Sequence, residues 1–292
     1  MTFVEDEIAS QPACWEQAVT HSASPMLPRS GERVAVVGCG TSWFVAQSYA
    51  ALREAAGRGE TDAFAASETP AGRGYDRIVA ITRSGTTTEV LDLLDRMRGR
   101  VPTLAITADD STPVAELASQ VIALPFADER SVVQTRFATS TLALLRAHLG
   151  EDLTRAIGDA RTAVDGALPD GALDRSQFTF LGRHWTVGLA NEAALKMREA
   201  SLSWSESYPA MEYRHGPISI GDAHSLVWML GDAPDGLRDE VVATGATWVD
   251  STLDPMAELI RAQRVAVAIG HARGLDPDNP RNLTRSVILD PA

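Results

Sequence analysis

Short, uninterrupted apolar runs recur along this chain, and each is followed by an amphipathic or Gly-rich stretch. They read VAVVG at 34–38, DAFAA at 62–66, RIVAIT at 77–82, TLAIT at 103–107, VIALPF at 121–126, FTFLG at 178–182, SLVWML at 225–230 and ATWVD at 246–250. Strands without polar alternation are buried on both faces, and alternating them with helices is the signature of a parallel sheet covered on both sides. Helical patterns fill the gaps at 46–55, 90–97, 135–149, 188–203 and 255–271. A polar helix and a Pro-Asp-Gly turn at 151–171 separate two stretches of similar element order. The predicted fold class is therefore α/β, with two units, each a parallel sheet flanked by helices on both faces. The expected boundaries are an N-terminal helical arm at 1–30, a first unit at 31–158 and a second unit with a C-terminal tail at 159–292. Within the arm, helix is expected over 3–10 and 15–22, with breaks at Pro25 and Pro28.

A length of 292 residues, 45% of them hydrophobic and 22% charged, suits two packed globular domains. The 39 acidic residues outnumber the 26 basic ones, and no Lys/Arg run interrupts that balance, so nucleic acid and anionic membrane are not expected partners. Any anionic ligand has to be held locally. Cys14 and Cys39 are too few for a disulfide framework, the N-terminus lacks a signal-peptide pattern, and no apolar stretch approaches the roughly 20 residues that span a bilayer. The cytoplasm is therefore the expected compartment. The six histidines are scattered without ligand spacing, so neither a metal nor a cofactor is expected.

Two strand-to-helix corners carry the chemistry. In VAVVGCGTS a buried strand runs into a turn containing Gly40 and then a helix opening on Thr41 and Ser42. Backbone N–H groups at such a helix start carry partial positive charge and can seat a phosphate. Trp43 stands where a third glycine of GxGxxG would fall, which disfavours a dinucleotide. The second corner follows the strand ending at Thr82, through Arg83, Ser84, Gly85, Thr86, Thr87 and Thr88. Both corners sit at strand C-termini, where open α/β sheets bind ligands. The competing reading is an ordinary corner at the first site and helix capping by Thr86 to Thr88 at the second.

In the second half, Glu192, Lys196, Glu199 and Ser203 fall four, three and four residues apart, on one helical stripe. Spacing alone favours a solvated face with ion pairs. Apolar neighbours Ala193, Ala194, Leu195 and Leu202, and His215 a few residues on, point instead to an acid and base pair.

Taken together, these segments resemble the SIS (sugar isomerase) family, in particular the isomerase half of glucosamine-6-phosphate synthase and its amino-sugar deaminase and isomerase relatives. The resemblance covers nearly all of the chain after about residue 30. CGTS at 39–42 matches a phosphosugar loop, 82–87 an S-x-S-G-x-T loop, and 192–199 an E-x-x-L-K-x-x-E helix. ERSVVQT at 129–135 matches a further substrate loop that brings in Gln134, EYRHGP at 212–217 a histidine loop, and NPRNLTRSV at 279–287 the tail. The resemblance implies that Thr41, Ser42, Ser84 and Thr87 hold a sugar phosphate, with Thr82 nearby, and that Glu199 carries a proton between C1 and C2. It also implies that Lys196 lies near the substrate and that His215 assists ring opening from a neighbouring subunit. A homodimer with its site at the subunit interface follows.

The departures narrow the reaction. Nothing in the chain resembles the synthase's glutaminase domain, so glutamine-dependent ammonia delivery is not expected. Arg285 replaces the synthases' tail lysine, and a guanidinium does not form a Schiff base with a ketose. Arg285 either clamps a ligand oxygen or lies outside the site. The expected activity is C2 proton abstraction on a glucosamine 6-phosphate or N-acetylglucosamine 6-phosphate type substrate, as an aldose-ketose isomerase or deaminase. The alternatives are a dehydratase or lyase expelling the C3 substituent of an N-acetylated substrate, and a non-catalytic phosphosugar sensor.

Overall fold

The computed structural model describes residues 2–70 and 72–289. In chain order its elements begin with α1 (Phe3–Ala9), α2 (Gln11–Val19), β1 (Val34–Gly38), α3 (Thr41–Ala55), β2 (Thr61–Ala65) and β3 (Arg77–Ile81). Then come α4 (Thr88–Met97), β4 (Thr103–Thr107), α5 (Val114–Leu117), β5 (Gln120–Ala123), α6 (Arg136–His148) and α7 (Thr154–Asp165). The last group is β6 (Gln177–Gly182), α8 (Thr186–Ser201), β7 (Trp204–Pro209), β8 (Ser225–Leu230), α9 (Leu237–Ala243), β9 (Thr247–Val249) and α10 (Pro255–Ala272).

These elements form two compact units. The N-terminal sheet unit comprises Ala13–Arg130, Gln134–Leu153 and the chain from Asn282 onward. The C-terminal sheet unit comprises Thr154–Arg281 together with Met1–Pro12 and Ser131–Val133. Thus α1 belongs to the C-terminal unit, where the Asp278 carboxylate accepts from the Phe3 and Val4 amides at 2.8 Å each and satisfies its first turn.

In the N-terminal unit five parallel strands run in the order β2-β1-β3-β4-β5. Every residue of β1, β3 and β4 is buried, which accounts for their unbroken apolar character. The chain leaves β1 toward β2 through α3 and leaves β3 toward β4 through α4, in opposite directions. Right-handed crossovers then place α3 and α4 on opposite faces of the sheet. Val90, Leu93 and Leu94 of α4 pack fully buried against Ala35, Val37, Ile78 and Ala80. Each of those three side chains contributes about 1.5–3 kcal/mol by burial. β1 and β3 are adjacent, so the crevice outside their C-terminal ends is the switch point of this sheet.

The C-terminal unit repeats the scheme with four parallel strands in the order β7-β6-β8-β9. The sequence reading contains neither β7 nor α9. β7 is an edge strand of sequence WSESYP, only partly buried, so neither an apolar run nor a clean alternation marks it. α8 stops at Ser201 because Leu202 takes a left-handed conformation (φ 54°) as its C-cap. The expected helix to residue 203 is therefore too long, and Ser203 lies off the helix.

Candidate functional site

The first corner depends on its glycines. At Gly38 a Cβ would lie 2.7 Å from the carbonyl carbon and Cβ of Ser42, so only glycine lets α3 start this close to the end of β1. Gly40, the N-cap of α3, has φ 54°. Thr41 and Ser42 follow as the first two helical residues, both buried. At the second corner Thr82 and Arg83 are buried, and Gly85 turns the chain with φ 63°. Thr87 is the N-cap of α4, but its side chain makes no capping hydrogen bond, so capping does not account for its hydroxyl.

The two corners share a small polar pocket of about 80 Å³. Of the residues singled out from sequence, Ser42, Thr82, Arg83, Ser84, Thr87, Gln134 and Arg285 line it. Gly40, Thr41 and Gly85 shape the turns without lining the cavity. Cys39, Ile81 and Val90 complete the wall. Burial, reinforced by the nearby Glu89 charge, pushes the Cys39 thiol up to about 11, so this cysteine is a wall group and not a thiolate nucleophile at neutral pH.

Glu129 organises the cationic side of the pocket, a role the sequence reading did not assign. Its fully buried carboxylate accepts from the Thr135 amide at 2.5 Å, the Thr135 hydroxyl at 2.8 Å and the Arg136 amide at 2.7 Å. It also lies 3.5 Å from the Arg83 guanidinium. One carboxylate therefore folds the 129–135 loop that presents Gln134 and braces Arg83. Arg285 pairs with Asp128 at the pocket rim. The signal in the sequence was an acid six residues before a helix-starting threonine, which names no partner until Arg83 is placed. Hydroxyls, an amide and two guanidiniums, each guanidinium partnered by a carboxylate, suit a compact oxyanion.

The acid and base stripe belongs to the C-terminal unit. Glu192 and Lys196 are almost fully buried, at 2% and 1% exposure, whereas the Glu199 side chain keeps 18%. This corrects the solvated-face reading that spacing alone favoured. Lys196 Nζ stands 3.3 Å from Glu192 and donates to Glu199 at 2.5 Å. Burial is the largest influence on Lys196 and acts to lower its pKa. The charges of Glu192 and Glu199 and their hydrogen bonds outweigh it, so the ammonium is held above the ordinary lysine range. Ser203 is not part of the stripe, since its hydroxyl accepts from Ser201 at 2.8 Å and Arg273 at 2.9 Å. His215 is exposed on the 3₁₀ turn Glu212–His215, anchored by the buried Tyr213. Among the described residues no hydrogen bond or ion pair joins His215 to Glu199. A carboxylate that keeps some access to solvent and is steadied by a buried ammonium can take up and return a proton.

Among the described residues no three His, Cys, Asp or Glu side chains gather as a metal site, and no helix is long and apolar enough to cross a membrane.

Comparison with known proteins agrees with this geometry. Residues 27–149 match the SIS domain family. The chain is 28% identical over 310 residues to the glutamine–fructose-6-phosphate aminotransferase [isomerizing] of Methanothermobacter thermautotrophicus, covering 89% of this chain and 52% of that protein. The chain thus spans about half the length of the curated relatives it matches. The glucosamine-6-phosphate deaminase structure from Thermotoga maritima superposes with a TM-score of 0.81 at 25% identity, covering 98% of each chain. The tagatose-6-phosphate ketose/aldose isomerase structure from Escherichia coli shares the fold, with a TM-score of 0.79 at 19% identity over 99% of this chain and 96% of the other. The pocket at the β1/β3 switch point lies within the matched segment except for Arg285, so residues 27–149 are an SIS domain, and the chain is homologous to the isomerase domain of glutamine–fructose-6-phosphate aminotransferases.

Proposed function

We propose that this protein is a phosphosugar isomerase or deaminase acting on an amino-sugar phosphate of the glucosamine 6-phosphate type. The observation that carries the reading is the polar pocket where Ser42, Ser84, Thr87, Gln134, Arg83 and Arg285 converge, in a domain whose homologues and structural neighbours bear phosphosugar names. The phosphate is held there by hydroxyls and guanidinium N–H groups. Glu199 takes the C2 proton from the open-chain aldose, the electron pair moves to the carbonyl oxygen, and Lys196 keeps the carboxylate in place. Return of the proton to C1 gives the ketose-level product. A free C2 amine makes that product a ketimine, which water hydrolyses to ketose phosphate and ammonia.

His215 assists ring opening from the second subunit of a homodimer, a role its exposure permits. The working partner is a small phosphosugar, in the cytoplasm. A second reading, loss of the C3 substituent from an N-acetylated substrate, is favoured by Arg285, which supplies no amine for a ketose Schiff base. Both readings run through the same carbanion.

Replacing Glu199 by Gln separates enzyme from sensor. An enzyme loses turnover while still binding glucosamine 6-phosphate, and unchanged turnover in the variant contradicts the role given to this carboxylate.

A further inference from the structure

The segment from Thr284 to Leu289 lies on the second hydroxyl corner, and its bonds take up Ser84, Thr87 and Arg83, which were assigned above to phosphate, together with Thr86 and Thr88 beside them. Ser84 Oγ donates to Ser286 Oγ at 3.1 Å, Thr86 Oγ1 donates to it at 3.0 Å, and Thr87 Oγ1 lies 3.3 Å away. Three hydroxyls thus converge on a fourth oxygen that the tail provides. The Thr88 amide, in the first turn of α4, donates to the Val287 carbonyl at 3.1 Å, and the Leu289 amide donates to Thr88 Oγ1 at 2.9 Å. Arg83 Nη2 donates to the Arg285 carbonyl at 3.0 Å. The donors an anion would use are bonded to the chain's own oxygens.

Apolar burial does not hold the tail in place. Val287, Ile288 and Leu289 are 51%, 71% and 57% exposed, and within 281–289 only Ser286 is not exposed. Beyond Arg285, the bonds of Ser286, Val287 and Leu289 to the corner are all neutral, and a ligand that offers charged acceptors to the same donors displaces them. The cavity left with the tail in place, about 80 Å³, is also well below the roughly 300 Å³ at which ligand pockets begin.

We propose that residues 286–289 form an autoinhibitory latch in which Ser286 Oγ stands in for a phosphate oxygen and must leave before the phosphate enters, while Arg285 stays paired with Asp128 at the pocket. The proposal rests on the phosphate-pocket reading given above. The apparent affinity for phosphate is then reduced by the fraction of molecules with the latch closed.

The test measures binding of inorganic phosphate and of glucosamine 6-phosphate by calorimetry to the full chain and to two variants. Ser286→Ala removes the surrogate oxygen and should tighten phosphate binding about fivefold. Ser286→Asp places a carboxylate among the same hydroxyls and should weaken it by roughly tenfold. In the wild type, added phosphate should speed amide hydrogen exchange across 286–289. Weaker or unchanged phosphate binding by Ser286→Ala, or slower exchange in the tail, overturns the latch while leaving the pocket reading intact. If no variant binds phosphate at all, the pocket reading fails and the latch fails with it.

Discussion

Lys196 Nζ bridges two carboxylates of its own helix, 2.5 Å from Glu199 and 3.3 Å from Glu192, and only Glu199 keeps appreciable exposure. This arrangement separates a fully buried acid from a partly exposed one. Glu192 is buried and compensates the ammonium, and Glu199 keeps the solvent access that the proton transfer proposed above requires. Lys196→Met should destabilise the protein by about 3–5 kcal/mol, the cost of leaving one partner of a buried ion pair uncompensated. The double variant Lys196→Met/Glu192→Leu should recover part of that loss. Urea denaturation midpoints of the two variants check both statements, and equal losses would mean that Glu192 does not depend on Lys196.

The pH dependence follows from the same site. Lys196 is held above its ordinary range in the folded state, so its stabilising contribution is complete below the unfolded value of about 10.4. It is lost as pH rises through the elevated folded value. The stability gap between wild type and Lys196→Met should therefore be constant from pH 7 to 9 and narrow at strongly alkaline pH. Thermal melting across that range measures it, and a gap that widens with alkalinity contradicts the assignment.

Ser84 and Thr87 offer hydroxyls to the pocket without serving the helix cap. Ser84→Ala and Thr87→Val should each weaken glucosamine 6-phosphate binding by roughly 10- to 100-fold, the range for one hydrogen bond to a charged group. Melting temperatures should stay close to wild type. Calorimetric titration gives the first quantity and a thermal melt the second.

Gly40 and Gly85 both have positive φ but differ in their surroundings. A Cβ at Gly40 meets open space, whereas one at Gly85 falls 1.9 Å from Thr112 Oγ1 and 2.9 Å from Val114 Cγ1. Gly40→Ala should cost about 1–3 kcal/mol from backbone strain alone. Gly85→Ala should cost clearly more and distort the second corner. Denaturation curves of the two variants rank them, and equal costs would mean that the Thr112 contact relaxes freely.

Much of the fold was legible because buried parallel strands advertise themselves as unbroken apolar runs, as VAVVG and SLVWML do. β7 escaped because an edge strand with one wet side alternates Ser, Glu and Ser, a pattern shared with loops. The stripe of Glu192, Lys196 and Glu199 was visible as spacing, but spacing does not reveal burial, and the solvated-face reading failed there. The hydroxyls around the pocket were legible one by one from the corners that carry them. The Glu129 to Arg83 brace was not, because it joins residues 46 positions apart whose pairing exists only after folding. The tail contacts of Ser286 were invisible for the same reason.

The most direct test of the central claim is to incubate the protein with glucosamine 6-phosphate and N-acetylglucosamine 6-phosphate in deuterated water and follow the products by NMR. The account predicts deuterium at C1 or C2 of at least one of the two, with ammonia released from the free amine or the C3 oxygen lost from the acetylated sugar. Substrates recovered unlabelled and unchanged, with binding intact, would contradict proton transfer at C2.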